Sequence, residues 1–262
     1  MAKKDVVVKA NRVRGWHKLG KFAKLSVLLL LLLLIVVYLV LKILLNDGSF
    51  IVSLGKNEML YSGLAMYETL NDPTPKRKLK AKDLQFMDNI SMKWLPSDIT
   101  EHEGSHNGKN YIAYSFYVEN QGQAVSNYWY SVTMDDVVKD ADEALRVMIY
   151  INDERTVYAK GSSINGEAEP IDYEYARKMR GKNLDASDYT TKFRDDKDGT
   201  IILGQRKNIK PGDLDKVTVV VWIEGADPEC TNALIGGHAR LSMKLIEEHD
   251  SDTIKELEWK YG

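Results

Sequence analysis

One cysteine, Cys230, stands in 262 residues. No intrachain disulfide can form, so the folded part must rest on an apolar core, and Cys230 itself reads as a small buried apolar residue. There is no phosphate loop, no dinucleotide fingerprint and no dense basic-aromatic surface, so nucleotide cofactors and nucleic-acid partners are not expected. Long hydrophobic runs are also lacking, with one exception.

That exception is Leu25 to Leu45, LSVLLLLLLLIVVYLVLKILL, whose only charge is Lys42. At ~1.5 Å per residue it spans roughly 30 Å as a helix, the thickness of the hydrocarbon core of a bilayer. The run is too long for the core of a cleaved signal, and Asn46-Asp47-Gly48-Ser49-Phe50 offers no small-residue cleavage site, so an uncleaved anchor is expected. It has no Gly-x-x-x-Gly and no polar residue between Ser26 and Tyr38, and so lacks the usual small-residue packing face.

Charge is distributed unevenly about this run. Residues 1–24 carry Lys3, Lys4, Lys9, Arg12, Arg14, Lys18, Lys21 and Lys24 against Asp5, a charge of +7. With Lys42 added, the formal total of −2 leaves −10 for everything after the span. Basic flanks stay cytoplasmic, so the expected organisation is a basic cytoplasmic arm (1–24), a transmembrane helix (25–45) and an extracellular domain (46–262) in a single-pass membrane protein. Contact of the arm with anionic lipid follows from the same charge.

The outer part reads as β. Ser49 to Leu54 is a predicted strand. NDPTPKRKLKAK (71–82) is a predicted loop, whose five basic residues could meet lipid headgroups or an anionic wall polymer. Strands are predicted over NISMKW (89–94), Tyr111–Glu119, Ala124–Met134, Leu145–Ile151 and Thr156–Ala159, from period-2 alternation and β-branched and aromatic content. Asp135 to Ala144 is acidic and helix-tolerant, a predicted crossover. Gly161 to Asp198 is polar and glycine-rich and reads as an insertion projecting from the core, with a short helix near Tyr173–Arg180. Val217 to Glu224 is the most apolar strand and should be central. Asp227-Pro228 predicts a brief helix to Leu234, stopped at Gly236-Gly237. Ala239, Leu241, Met243 and Leu245 should face inward, and a weak helical signal covers Thr253 to Trp259. Eight or nine short strands and few helices predict a mainly β fold, an antiparallel jelly-roll-like or Ig-like β-sandwich.

Three constellations could carry chemistry. His102-Glu103-Gly104-Ser105-His106 matches H-E-x-x-H, which binds zinc when both imidazoles share one helical face and the glutamate meets the metal-bound water. Gly104, Gly108 and the Asn107-Gly108 turn pair argue against that helix, so a zinc-dependent peptidase using His102, Glu103 and His106 is the alternative reading. Asp196 and Asp198, in RDDKDG (194–199), resemble part of a calcium loop, but Arg194 and Gln205 fall where its end ligands belong. Cys230 and His238 flank Gly236-Gly237 with neither an evident base nor an oxyanion hole. The predominant reading assigns no catalytic residue and no cofactor.

SHNGKNYIAYSFYVENQG (105–122), ADEALRVMIYIN (141–152) and VVVWIEGADPECTNALIGGHARLSMKL (219–245) resemble membrane-anchored surface proteins of Gram-positive bacteria of unassigned function, and distantly the camelysin/TasA family of exported β-sandwich proteins. The resemblance spans most of residues 50–246. It implies a jelly-roll-like sandwich, with matrix-fibre subunits in one branch and a claimed metalloprotease in the other, and it transfers no catalytic residue. The chain departs from both branches in keeping its apparent anchor. Together these features point to a non-enzymatic cell-surface protein serving adhesion, matrix anchoring or a surface complex. Its expected partners are the bilayer and another surface or membrane protein or a second copy. A subunit of a larger membrane complex is a further alternative.

Overall fold

A computed structural model describes residues 10–45, 50–55, 63–84, 86–179, 184–194 and 198–248. The chain forms two units, Met1–Asp47 and Gly48–Gly262.

The first unit contains one helix, α1 (Ala10–Leu45, 36 residues). Its Ala23–Val40 window has a mean hydropathy of 2.8 and buries nothing against protein, and it is long and apolar enough to cross a membrane. The helix starts well before the apolar run. No proline interrupts residues 10–24, so helix propagates back from the leucine run into the basic arm, each added residue contributing one backbone hydrogen bond.

The second unit is mainly β, in two mixed sheets. One sheet has the order β10 (Thr200–Ile209), β6 (Ser126–Val138), β12 (His238–Glu247), β1 (Phe50–Leu54), β3 (Lys78–Lys80). The other has the order β2 (Leu64–Tyr67), β5 (Ile112–Asn120), β11 (Leu214–Ile223), β7 (Leu145–Ile151), β8 (Glu154–Ala159), β9 (Thr191–Lys192), with β4 (Gly104–Ser105) also paired to β5. Alternation puts Phe50, Val52 and Leu54 of β1, Tyr128 and Val132 of β6, and Leu241, Met243 and Leu245 of β12 into one core. Across it lie Tyr114, Phe116 and Val118 of β5, Leu145, Val147 and Ile149 of β7, and Val217, Val219 and Val221 of β11. A sandwich is therefore what the strand pattern produces.

β11 is central as predicted, between β5 and β7 in antiparallel register. Both its faces are buried. On the outer face Val220 and Trp222 join Ala113, Met148 and Val157 in a second apolar cluster, roofed by Ile90 and Ile99. Residues 90–106 thus form a strap over this sheet, which explains why β11 is a continuous apolar run rather than an alternating one.

Several predicted elements differ. NISMKW is not a strand: Ile90 makes one parallel bridge to Glu224, and Met92–Trp94 is a 3-10 turn started by the Ser91 side chain. Six alternating residues ahead of Pro96 find no ladder partner, and Trp94 is left exposed. The 135–144 stretch does cross between the sheets, from β6 to β7, but as a turn and not a helix: β6 runs on to Val138 against β12, and Lys139 and Asp140 turn at positive φ. The helix expected from Asp227 shrinks to a 3-10 turn, Asn232–Leu234, capped by Thr231. The 71–82 loop ends in the edge strand β3. Residues 161–198 do not simply project: β9 pairs in parallel with β8, Pro170 bridges to Tyr189, and α2 (Tyr173–Lys178), in the predicted place, is capped by Asp172. Nor are the sheets purely antiparallel, since β1 runs parallel to β12 and β9 parallel to β8. The weak helical signal over Thr253–Trp259 lies outside the described residues.

Candidate functional site

One end of the sandwich is open. β1 enters there at Phe50, in parallel register with Leu241, and the Ala81 amide donates to the Phe50 carbonyl at 3.0 Å. β5 and β7 begin at the same end, at Ile112 and Leu145, and β11 finishes there at Ile223. A cleft of about 450 Å³ lies between these strand ends, floored by Ile112, Leu145, Val221, Ile223 and Leu241. Two loops make its lips. Leu84, Phe86 and Met87 come from one, and Leu234 and Ile235 from the other. Phe86 and Ile235 are 81% and 69% exposed. A largely apolar, preformed concavity of this size is the usual form of a small-ligand or side-chain site.

The lips are held by specific contacts. A side chain at Gly237 would meet the Val138 and Leu234 carbonyls at 2.7 and 2.9 Å, so only glycine permits the close approach that turns the chain after Ile235. Lys139 Nζ donates to the Ile235 carbonyl at 2.7 Å. Just after the other lip, the Asp88 amide donates to Asn110 Oδ1 at 3.3 Å, and the Ile90 amide donates to the Ile223 carbonyl at 2.9 Å. Exposed apolar side chains on fixed loops expose area without the cost of ordering on binding.

Cys230 and His238, singled out by their place beside the double glycine, both line this cleft. Burial pushes the Cys230 thiol up, the reverse of what activates a nucleophile. His238 Nε2 lies 2.8 Å from Asp136, on the exposed rim.

Beside the cleft sits a buried polar node that the sequence reading missed. Arg146 donates from Nη2 to Asp227 at 2.6 Å, with side chains 2% and 0% exposed. Tyr173 donates to Glu169, and Glu229 accepts from the Ser163 amide at 2.7 Å. Glu169, Asp227 and Glu229 bring carboxylate oxygens within 4.8 Å of one another. One guanidinium faces three carboxyls, and burial raises the Glu169 carboxyl above its ordinary range. The visible signal was Arg146 itself, a charge inside the apolar strand LRVMIYI.

The H-E-x-x-H stretch is not helical. Gly104 lies at φ 63° and Gly104–Ser105 forms β4 against β5. The His102 and His106 rings are 5.2 Å apart, but both ring nitrogens of His106 face backbone carbonyls, Gly104 at 2.9 Å and Ile99 at 3.0 Å. Glu103 accepts from the Tyr117 hydroxyl at 2.7 Å. In this arrangement His106 has no nitrogen to give to a metal, and the stretch acts as a clamp on the strap. Asp198 sits in the turn before β10, while its expected partner Asp196 lies outside the described residues.

His106 makes the strap pH-sensitive. Burial holds its imidazole below the ordinary value, outweighing the two carbonyls that favour the charged ring, and nearby His102 and Lys216 push the same way as burial. A depressed folded-state pKa means that its stabilising contribution is fully present above the unfolded value of about 6.5 and is lost as pH falls through the folded value. Thermal melts between pH 7.5 and 5 should show a fall in stability that is smaller in His106→Gln; an unchanged slope in that variant would refute the assignment.

No family model matches the chain, and no curated protein is detectably similar to it. Among solved structures, a β-glucosidase from Kluyveromyces marxianus aligns at 13% identity over 72% of this chain and 17% of its own, with a TM-score of 0.26. The Enterococcus faecalis MSCRAMM ACE, whose structure is described as binding its ligands by the collagen hug, aligns at 8% identity over 71% of this chain and 60% of its own, with a TM-score of 0.19. The chain spans about a sixth of the β-glucosidase and less than two thirds of the second protein, and likenesses this weak leave the reading of the site to its own geometry.

Proposed function

We propose that this chain is a single-span membrane protein whose sandwich is a non-enzymatic binding module on the outer side of the membrane. The observation that carries this reading is the preformed apolar cleft with Phe86 and Ile235 held outward at its mouth. Exposed aromatic and aliphatic anchors around a pocket are the form that binding hot spots take. The outer location rests on the basic arm before the span and the acidic remainder after it. In this role the module serves adhesion, matrix anchoring or assembly of a surface complex, the role that the camelysin/TasA resemblance also suggests.

Two measurements test it. A C-terminal tag should be removed by protease added to intact cells; a protected tag overturns the orientation. A photo-crosslinking residue at Ile235 should give far more adduct in native membranes than one at Ile164, which is 81% exposed and does not line the cleft. Equal yields at the two positions would remove the cleft as the binding site.

A further inference from the structure

The two sheets treat their outer faces differently. The strap covers the outer face of the β11 sheet, with Ile90 and Ile99 packed on it. The other sheet presents charge. Leu241, Met243 and Leu245 of β12, Val52 and Leu54 of β1, and Leu79 of β3 face the core. Alternation therefore turns Arg240, Ser242 and Lys244, Ile51 and Ser53, and Lys78 and Lys80 outward. Arg240, Lys244, Lys78 and Lys80 are all exposed. Among the described residues, the outward positions of these three adjacent strands carry those four cations and no carboxylate. The chain after the membrane span has a formal charge of −10, so this face runs against its surroundings.

The pairing register arranges the cations. Lys244 pairs with Ser53 and Ser53 with Lys78, and in the next outward row Ser242 pairs with Ile51 and Ile51 with Lys80. At ~4.8 Å per strand, Lys78 and Lys244 stand about 10 Å apart across β1, and Lys80 follows Lys78 at about 7 Å along β3. Ser53 and Ile51 form a floor of shorter side chains between them. The nearest acids are on β6, at one end of the face. Asp135 accepts from the Ser242 hydroxyl at 2.9 Å, and Asp136 pairs with His238 at 2.8 Å and feels Arg240. Lys244, Lys78 and Lys80 remain the centre of the patch.

We infer that this trough binds an extended phosphate polyanion, laid along β1 between Lys78 and Lys80 on one side and Lys244 on the other. The site goes beyond the cleft reading and rests on no residue that lines the cleft. Lysines on an edge strand also guard against pairing with another chain, which accounts for β3. It does not account for Lys244, because β12 is interior to its sheet, between β6 and β1. Cations repeated along a strand suit a ligand that repeats its own charge rather than a single ion. The three central cations are lysines, point charges that suit a tetrahedral phosphate, whereas arginine's planar fork matches a carboxylate.

The test reads each lysine separately, so the basic residues before the span do not obscure it. The full chain in detergent is acetylated with and without inorganic polyphosphate, and modification is measured at each lysine by mass spectrometry. Severalfold protection is expected at Lys78, Lys80 and Lys244, with none at Lys109 and Lys210, which are exposed elsewhere. Lys244→Gln should remove most of the protection of Lys78 and Lys80, Lys244→Arg should keep it, and Lys210→Gln should leave it intact. Equal protection at all exposed lysines, or protection at Lys78 and Lys80 that ignores Lys244→Gln, would overturn the trough. Equal protection by polyglutamate would overturn the choice of phosphate.

Discussion

Arg146→Met should lower the stability of the sandwich by about 3–5 kcal/mol, the cost of stripping one partner from a buried ion pair. For a unit of this size that corresponds to a fall in Tm of roughly 10 °C. The size of the effect comes from imbalance. Arg146 is the guanidinium facing Asp227, and Glu169 and Glu229 lie against the same carboxylate. Methionine fills much of the volume but leaves buried carboxyls with no counter-charge. Asp227→Leu should cost less, because Arg146 keeps Glu169 and Glu229 nearby. The double variant Arg146→Met/Asp227→Leu should recover most of the loss, since a well-packed apolar pair substitutes for a buried ion pair at little cost. Acid should also narrow the deficit of Arg146→Met: the Glu169 carboxyl already titrates above its ordinary range through burial, so its contribution is present at low pH and lost as pH rises through the folded value. Glu169 and Tyr173 belong to the 161–198 segment, so hydrogen exchange there should quicken in the single variant. A loss below 1 kcal/mol, or a double variant no better than the single, would show that the node is not what docks this segment.

The node also shows where sequence reading reaches its limit. Strands with strong local signals were legible: β5, β7, β11 and β12 lie where alternation or a continuous apolar run places them, and Leu241, Met243 and Leu245 face inward. The membrane-length helix was legible for the same reason, a one-dimensional excess of leucine. The misplaced elements are those whose conformation a distant partner decides. NISMKW has strand periodicity, yet Ile90 roofs an apolar cluster on the outer face of β11 instead. Asp227-Pro228 has the local form of a helix start, yet the Asp227 carboxylate is taken by Arg146, 81 residues away in sequence. H-E-x-x-H, by contrast, carried its own warning in Gly104 and the Asn107-Gly108 pair, and pairing of β4 with β5 turns its second histidine onto two carbonyls. The cleft left no mark at all, because it is a gap between strand ends contributed by segments from Leu84 to Leu241, and only the topology brings them to one mouth.

At the opposite end of the sandwich, Asp215→Asn should cost about 2–4 kcal/mol, a loss set by buried donors rather than by lost packing. Asp215 is 2% exposed and joins the two sheets. From one sheet it accepts from the Tyr128 hydroxyl at 3.1 Å and from Arg206 Nε and Nη2 at 3.1 and 3.2 Å. From its own sheet it accepts from Asn152 Nδ2 at 2.8 Å. Asn152, at φ 55° in the β7–β8 turn, also exchanges hydrogen bonds with the backbone of Lys216. One carboxylate therefore anchors the β7–β8 turn and clasps the two sheets. An asparagine of the same shape has one acceptor oxygen, so its amide must point at a donor whichever way it is turned. Tyr128 is wholly buried and has no water to replace the lost acceptor, and burial together with Asp215 already holds its hydroxyl protonated, well above the ordinary value. Arg206, 39% exposed at its side chain, can turn to solvent instead. The cost should therefore track Tyr128: in Tyr128→Phe, which by itself loses about 1 kcal/mol for one hydrogen bond, the added cost of Asp215→Asn should shrink. Chemical denaturation of the four proteins in this cycle measures the coupling. Strict additivity would mean that the Tyr128–Asp215 hydrogen bond does not help to hold the two sheets together; a coupling of 1 kcal/mol or more, within the range of about 0.5–3 kcal/mol for residues in one network, identifies this pair as a closure of the sandwich opposite its open cleft.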